Sequence, residues 1–394
     1  MMLPYFLIIL LFATQGNTLS EGDACTKHDG NPGNCKPITS CPSALVEIRE
    51  RKSPKICSFE KGTLIVCCAS ETKQPPRKNR HRNMRTTTTT GAPINLKYST
   101  ECSTAERTGK KAHDKCLEYQ EKYVYPCRDS GTPSGGLVRI NQCNRKPEDL
   151  ITGGMNSYFG EFPHMALLGY GAEQTKWMCG GVIVSERYIL TAGHCIYSRT
   201  SGPVLKARVG ILERTETVEP EKEYNVEVIK HPDYKPPIKY NDIALLKTDR
   251  DIALDRYTLP ACLHDGGPLK NDSAIVSGWG TTVFRAQALA DVLQKATVTR
   301  FDEAECHDKL DSIRHLTRGY DHSIQMCYGD RESNKDSCEG DSGGPLQVNH
   351  PTIQCMYSVI GIISSGKWCG FAGEPGIYTR VSAYLPWIES VVWP

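Results

Sequence analysis

The chemistry in this chain gathers around one serine. Asp336-Ser337-Cys338-Glu339-Gly340-Asp341-Ser342-Gly343-Gly344-Pro345 sets a hydroxyl among glycines and acids, with a cysteine to anchor the loop. A serine hydroxyl attacks a carbonyl only if a base takes its proton, and the resulting oxyanion needs donors already in place. Gly340 has no Cβ, so its N–H can approach that oxyanion together with the N–H of Ser342. The same residue types also favour a plain surface turn, so the reading depends on partners. His194 offers a base, in Thr191-Ala192-Gly193-His194-Cys195 directly after the apolar run Tyr188–Leu190. Asp242 offers an orienting carboxylate, immediately before Ile243-Ala244-Leu245-Leu246. A buried aspartate needs a hydrogen-bonded partner, and an imidazole N–H supplies one. Singly, His194 reads as structural and Asp242 as a turn residue or strand cap. With Ser342 they describe nucleophilic acyl transfer.

Groups so far apart in the chain need a sizeable fold to bring them together. From Ile151 onward, short apolar runs alternate with turn residues: Met165–Leu168, Val182–Val184, Tyr188–Leu190, Val226–Ile229, Ile243–Leu246, Ala274–Val276 and Val359–Ile363. Many short strands punctuated by Gly and Pro predict an all-β sandwich or barrel. The chain end reads as a helix, because Val381, Tyr384, Leu385, Ile388 and Val392 keep one face apolar. Pro386 is tolerable only near that helix's first turn.

The 394 residues leave room for two or three domains, and a net charge of +2 gives no argument for nucleic acid or an acidic partner. The 18 cysteines, even in number and far above ordinary usage, point to an oxidising compartment. Leu3–Phe12 is a short apolar run followed by small and polar residues, which predicts a secretory signal peptide over residues 1–20, although the usual basic start is missing. Neither that run nor any later one is long enough to span a membrane. Residues 25–68 carry Cys25, Cys35, Cys41, Cys57, Cys67 and Cys68. So short a segment cannot build an adequate core, and three bridges must hold it together. Spacing alone does not choose their pairing. A metal site is the rival reading, with His28 the only histidine nearby. Residues 69–150 form a linker and light-chain segment. Its first part, with Pro75-Pro76, the basic run Arg77–Arg85 and Thr86–Thr90, offers little apolar surface to offset ordering and reads as a flexible tether. Cys102, Cys116, Cys127 and Cys143 follow, and Glu118–Tyr125 shows no clear period.

Taken together, Ile151-Thr152-Gly153-Gly154, Thr191–Cys195, Asp242–Leu245, Ser277-Gly278-Trp279-Gly280, Gly340–Pro345 and Pro375-Gly376-Ile377-Tyr378 resemble the motifs of the chymotrypsin-family serine proteases, in family order across 151–394. The resemblance implies two packed six-stranded β-barrels with a C-terminal helix and an active site in the cleft between them. It implies Ser342 as nucleophile, His194 as general base and then acid, and Asp242 as the orienter of the imidazole, with Gly340 and Ser342 as oxyanion hole. Asp336 would look up from the base of the specificity pocket, favouring Arg or Lys, while Gly366 and Gly376 keep its walls open. Ser365 departs from the family, standing where many relatives carry an aromatic residue, so the neighbouring subsite is expected to be less apolar. Cutting Leu150–Ile151 would free an ammonium able to pair with Asp341. Leu150 stands where most relatives have Arg or Lys, so a different, leucine-accepting protease is expected to make that cut. The implied bridges are Cys143–Cys262, Cys179–Cys195, Cys306–Cys327 and Cys338–Cys369. Cys102, Cys116, Cys127 and Cys355 remain, with Cys102–Cys127 and Cys116–Cys355 the preferred pairs.

Six cysteines ending in Cys67-Cys68, a linker and then a protease resemble the clip-domain proteases of arthropod body fluid. That resemblance implies Cys25–Cys67, Cys35–Cys57 and Cys41–Cys68. Leu150 and Lys115-Cys116-Leu117-Glu118-Tyr119 look like the branch containing the fly protease Snake. The expectation is a secreted haemolymph zymogen, activated by an upstream protease, restrained by a serpin inhibitor, and activating a downstream clip-domain protease zymogen in immunity, through prophenoloxidase or the Toll pathway. A catalytically silent clip-domain adaptor and a developmental patterning protease are the alternatives. No cofactor or metal is expected. The acidic loop Glu213, Glu216, Glu219, Glu221, Glu223 has the character of a calcium loop, yet Ile211 stands where calcium-binding relatives have a glutamate. Asn271-Asp272-Ser273 is a glycosylation sequon.

Overall fold

The computed structural model describes residues 19–27, 30–37, 40–41, 43–44, 54–60, 63–69, 102, 105–130, 136–145, 155–281, 289–310, 313, 315–331, 340–366 and 373–394. The chain divides into two compact units, 1–94 and 95–394. The expected signal peptide, almost all of it in 1–18, lies outside the described residues, as does most of the linker.

In the first unit, strands β1 (Ala24–Thr26), β2 (Pro32–Pro37), β3 (Ile56–Glu60) and β4 (Thr63–Ala69) form an antiparallel sheet in the order β1-β2-β4-β3. Side chains alternate across a strand. Ile65 and Cys67 of β4 therefore join Cys25 and Cys35 on one face, while Val66 and Cys68 join Cys41 and Ala44 on the other. This explains the adjacent cysteines: each serves one face. The bridges are Cys25–Cys67, Cys35–Cys57 and Cys41–Cys68.

The second unit opens with helix α1 (Lys111–Tyr119), which runs through a π-helical turn, Gln120–Val124, to the hairpin β5 (Cys127–Asp129) and β6 (Leu137–Arg139). Ala112, Cys116, Leu117 and Tyr119 are the buried side chains of α1. The short strand β7 (Met155–Asn156) then leads into the first barrel. Its strands are β8 (Met165–Tyr170), β9 (Lys176–Ile183), β10 (Tyr188–Thr191), β12 (Gly202–Val209), β13 (Glu223–Lys230) and β14 (Ala244–Thr248), with β11 (Tyr197–Ser198) as an extension of β12. The path β12-β13-β14-β10-β9-β8 closes through β12–β8. After β15 (Cys262–Leu263), the second barrel takes β16 (Ser273–Gly278), β17 (Gln294–Arg300), β18 (Gln325–Gly329), β19 (Pro345–Asn349), β20 (Tyr357–Gly366) and β21 (Gly376–Arg380), closing through β20–β21. Helix α2 (Glu303–Leu310) lies between β17 and β18, and α3 (Leu385–Val392) ends the chain.

Strand β8 is buried along its whole length because both of its faces are covered. Ala166, Leu168 and Tyr170 fill the first barrel. Met165 and Leu167 point the other way, into a cluster with Trp279, Leu293 and Tyr357 of the second. Each such side chain contributes roughly 2 kcal/mol by burial, so the cluster welds the two barrels together. Pro386 sits in the first turn of α3, whose Ile388 and Val392 are buried against the first barrel.

The segment ahead of the first barrel is bonded differently from the expectation. The structure pairs Cys116 with Cys262 and Cys143 with Cys355, rather than Cys143 with Cys262 or Cys116 with Cys355. Helix α1 lies against β15, which brings the buried Cys116 to Cys262 with Cα atoms 5.1 Å apart. Cys143, on the extended chain beyond β6, reaches Cys355 instead. Cys102–Cys127, Cys179–Cys195 and Cys306–Cys327 are also present.

Candidate active site

Strand β10 delivers His194. After Thr191 the chain leaves the sheet and makes a 3-10 turn, Gly193–Ile196. Gly193 is required there, because a Cβ would lie 2.7 Å from the Tyr234 ring. The disulfide Cys179–Cys195 ties this turn to β9.

Asp242 comes from the approach to β14, and its side chain has no exposed surface. A carboxylate buried so completely needs many donors. Oδ1 accepts the backbone N–H of His194 at 2.7 Å. Oδ2 accepts Nδ1–H of His194 at 2.9 Å and the Ser364 hydroxyl at 2.5 Å, with the Lys239 ammonium at 3.5 Å. The Thr379 hydroxyl holds the Asp242 carbonyl at 2.9 Å. Burial pushes the carboxyl upward, but the charge and hydrogen bond of His194, the charge of Lys239 and the Ser364 hydroxyl outweigh it, and Asp242 is held well below the usual carboxylate range. An ionised carboxylate only accepts hydrogen bonds. Nδ1 of His194 therefore carries its hydrogen, leaving the Nε2 lone pair to take a proton.

The second barrel presents Ser342 on the turn before β19. Its carbonyl accepts the N–H of Gly180 at 2.7 Å. The next two residues bond to β20, Gly343 N–H to the Ile363 carbonyl and Ile363 N–H to the Gly344 carbonyl, each at 2.9 Å. Gly343 has φ 80°, and a Cβ there would lie 2.2 Å from Thr191 Oγ1 and 3.2 Å from Cys195 Sγ. The serine turn therefore packs directly on the residues flanking His194. Gly340 has φ 101°, where a Cβ would meet Leu289 at 2.5 Å and Gly280 at 2.8 Å. Asp341 accepts the Gly280 N–H at 2.7 Å.

A buried Asp–His couple on one β-barrel, with a glycine-framed serine turn of the other packed on the residues around it, agrees with the comparisons. The trypsin family profile matches residues 151–388. Serine protease snk of Drosophila melanogaster is 30% identical over 384 residues, 95% of this chain and 80% of the relative. Phenoloxidase-activating enzyme 1 of Spodoptera litura is 34% identical over 396 residues, 93% of each chain. CLIP domain-containing serine protease B9 of Anopheles gambiae is 33% identical over 284 residues, 65% of this chain and 67% of the relative. The chain belongs to the trypsin family of serine proteases, in its arthropod clip-domain branch.

In this clip-domain protease, Gly366 and Gly376 are register partners across β20 and β21. Asp336, Leu150, Ile151, Cys338 and Cys369 lie outside the described residues. Asn271 is exposed on the loop before β16. It lines a cavity of about 400 Å³, together with Leu269, Lys295 and Val348, that holds none of His194, Asp242 and Ser342. In the acidic loop, Glu223 is engaged by Lys206 and Arg208, and Ile211 is buried between the barrels. Sequence reasoning missed the hydroxyl of Ser364 and the ammonium of Lys239 as partners of Asp242. Lys239 at three residues before the acid was a readable signal; Ser364, 122 residues away, was not. Among the described residues no helix is long and apolar enough to cross a membrane.

Proposed function

We propose that this chain is the secreted zymogen of an endopeptidase that cuts after Arg or Lys, activated at Leu150–Ile151 by a different protease and acting on a downstream clip-domain zymogen in haemolymph. The observation that carries the reading is the 2.9 Å hydrogen bond from His194 Nδ1 to buried Asp242, set beside the Ser342 turn. Ser342 Oγ attacks the scissile carbonyl while His194 Nε2 takes its proton, and ionised Asp242 stabilises the imidazolium. The N–H groups of Gly340 and Ser342 receive the oxyanion. His194 then gives the proton to the leaving amine, and water repeats the sequence on the acyl-enzyme. Asp336 matches the cationic side chain of the substrate. Asp341 takes the new amine of Ile151 after cleavage, as a partner additional to or replacing the Gly280 N–H. The order of modules and the likeness along nearly the whole chain to a phenoloxidase-activating enzyme support a role in an immune cascade. A serpin offering Arg at its reactive bond would be the matching inhibitor.

The test uses the purified precursor, alone and after cutting at Leu150–Ile151 by a leucine-accepting protease. The cut form is expected to hydrolyse Arg and Lys peptides and to take an organophosphonate on Ser342, while the precursor alone stays intact and inert. Absence of labelling after the cut would leave the silent adaptor. Unaided cleavage at Ile151 would remove the separate activator.

A further inference from the structure

The cavity of about 400 Å³ on the second barrel holds none of the catalytic groups. Leu269, Ala274, Ala296 and Val348 line it, and all four belong to that barrel's core cluster. A flank of the core therefore borders open space. His264 and His350 line the same cavity. Their Nδ1 atoms accept backbone N–H groups, from Gly266 at 3.1 Å and from Ile353 at 2.9 Å. In the neutral ring the hydrogen then sits on Nε2, where it can donate. Burial lowers both imidazoles, His350 to about 4 with His113 adding to the effect, so near neutral pH both are uncharged. Of the two lysines in the lining, Lys295 is paired with Glu161 and Lys270 is exposed to solvent. An apolar floor with neutral donors suits a ligand that has an apolar face and oxygen acceptors, and the size is that of a small-ligand site, roughly 300–1,000 Å³.

Asn271 says which ligand that is. It is exposed, it heads the sequon Asn271-Asp272-Ser273, and it lines this cavity. Its Oδ1 accepts the Ser273 N–H at 3.3 Å, which leaves Nδ2 outside that turn. The next residue is pinned to β17: the Asp272 carbonyl accepts the Arg300 N–H at 2.8 Å, and its carboxylate pairs with the Arg300 guanidinium at 2.8 Å. A group attached at Nδ2 thus starts at the cavity wall, and a short tether holds it there at a concentration of about millimolar or more. We propose that Asn271 carries an N-linked glycan whose first two N-acetylglucosamine units occupy this cavity, with ring faces on the apolar floor and oxygens accepting from His264 and His350. In the attachment step Nδ2 displaces a lipid diphosphate from C1 of the donor oligosaccharide, the N–C bond forming as the C–O bond breaks and one amide proton leaving. The inference rests on the export part of the reading above, where that donor is met, and is independent of catalysis.

The experiment expresses the full chain for export in cells treated with a mannosidase inhibitor, which keeps glycans sensitive to an endoglycosidase that cuts between the two core N-acetylglucosamines. Peptide mass spectrometry is expected to find Asn271 modified. The folded chain should release its glycan about tenfold more slowly than the same chain after reduction and heating, because the bond is reached only when the sugars leave the cavity. Ala296→Phe fills the cavity and is expected to release it at nearly the unfolded rate. Should that variant not fold, Val348→Phe reads the same rate. Asn271→Gln and Ser273→Ala both remove the glycan, and each is expected to lower the unfolding temperature while leaving kcat/KM of the cut enzyme on an Arg peptide unchanged. An exported chain with Asn271 unmodified overturns the proposal, as does a folded wild type that releases its glycan as fast as the unfolded chain or as the filled variant. In either case cleavage of the Arg peptide keeps the protease reading intact. A chain found only inside the cells overturns the proposal together with the export reading.

Discussion

The two barrels hold their halves of the site by different physics. The first must keep a charge in a place without water, and it surrounds Asp242 with the backbone and ring N–H groups of His194 and the Lys239 ammonium, to which β20 of the second adds the Ser364 hydroxyl. The second must keep one oxygen in a fixed position, and it does so with backbone shape. Ser342 is followed by Gly343 and Gly344, both locked to β20, and Gly343 is pressed against Thr191 and Cys195 with no room for a methyl group. One half should therefore fail when charge changes at constant volume. The other should fail when volume changes at constant charge.

Asp242→Asn tests the first half most severely. The amide keeps the volume but loses the charge, and it offers an N–H where Oδ2 now receives three donors. His194 would then favour the tautomer that carries its hydrogen on Nε2, which cannot accept the serine proton. A fall in kcat of about 10⁴ is expected, a magnitude carried over from the family's triad, with the fold retained by circular dichroism. A loss below tenfold would mean that the carboxylate is merely structural.

Gly343→Ala is the counterpart in the second half. It adds no charge, yet the residue sits at φ 80° and its Cβ would lie 2.2 Å from Thr191 Oγ1 and 2.5 Å from the Gly180 carbonyl. The turn must shift, and a displacement of about 1 Å at a nucleophile costs on the order of 10² in rate. Burst titration of active sites, which counts competent serines, is the measurement. Full activity would show that the turn has slack.

How much of this was written in the sequence differs between the same two kinds of feature. Short-range patterns were legible: the apolar runs that became β8, β10, β14, β16 and β20, Pro386 in the first turn of α3, and a serine, a histidine and an aspartate each in a distinctive local setting. Features that need a second element already in place were not. Helix α1 buries Ala112, Cys116, Leu117 and Tyr119, a face with few large aliphatic side chains, and the lysines and acids around it drown the period. Without α1 there was no way to see that Cys116 meets Cys262, so the pairing read from family resemblance was wrong. For the same reason the sequence named Asp242 but not all its partners, since Ser364 and Thr379 reach it from β20 and β21 of the other barrel.

The seam between the barrels mixes the two principles, and His164 measures it. Buried His164 donates from Nε2 to Gln347 Oε1, and Gln347 Nε2 donates to Ser277 Oγ at 3.0 Å. Burial lowers the imidazole from 6.5 to about 4, against a smaller opposing effect of the Gln347 bond. Between these values the unfolded chain binds a proton that the fold does not. Stability is therefore fully present above about pH 6.5 and lost as the pH falls toward 4, by about 3 kcal/mol. Half-buried His350 is lowered in the same window and adds its own slope. His164→Gln keeps an N–H donor but cannot titrate, so urea unfolding of the full chain should depend less on pH across this window. Parallel curves for the two proteins would mean that His164 binds its proton without disturbing the seam.

Ser364→Ala has the smallest expected effect and asks whether the halves are separable at all. Ser364 belongs to β20 of the second barrel, yet its hydroxyl donates at 2.5 Å to the acid of the first. Removing it leaves Oδ2 with His194 Nδ1 and the more distant Lys239. One charge-assisted hydrogen bond in a buried site amounts to about 1.5–3 kcal/mol when lost. Part of that falls equally on free enzyme and transition state, so kcat/KM on an Arg peptide should drop by about tenfold, well short of the effect at Asp242. The acid limb of the pH–rate profile is the sharper readout, because a hydroxyl that only filled space would leave its position unchanged. If rate and profile both match wild type, the charge-holding half is complete within the first barrel, and the contact from β20 serves packing alone.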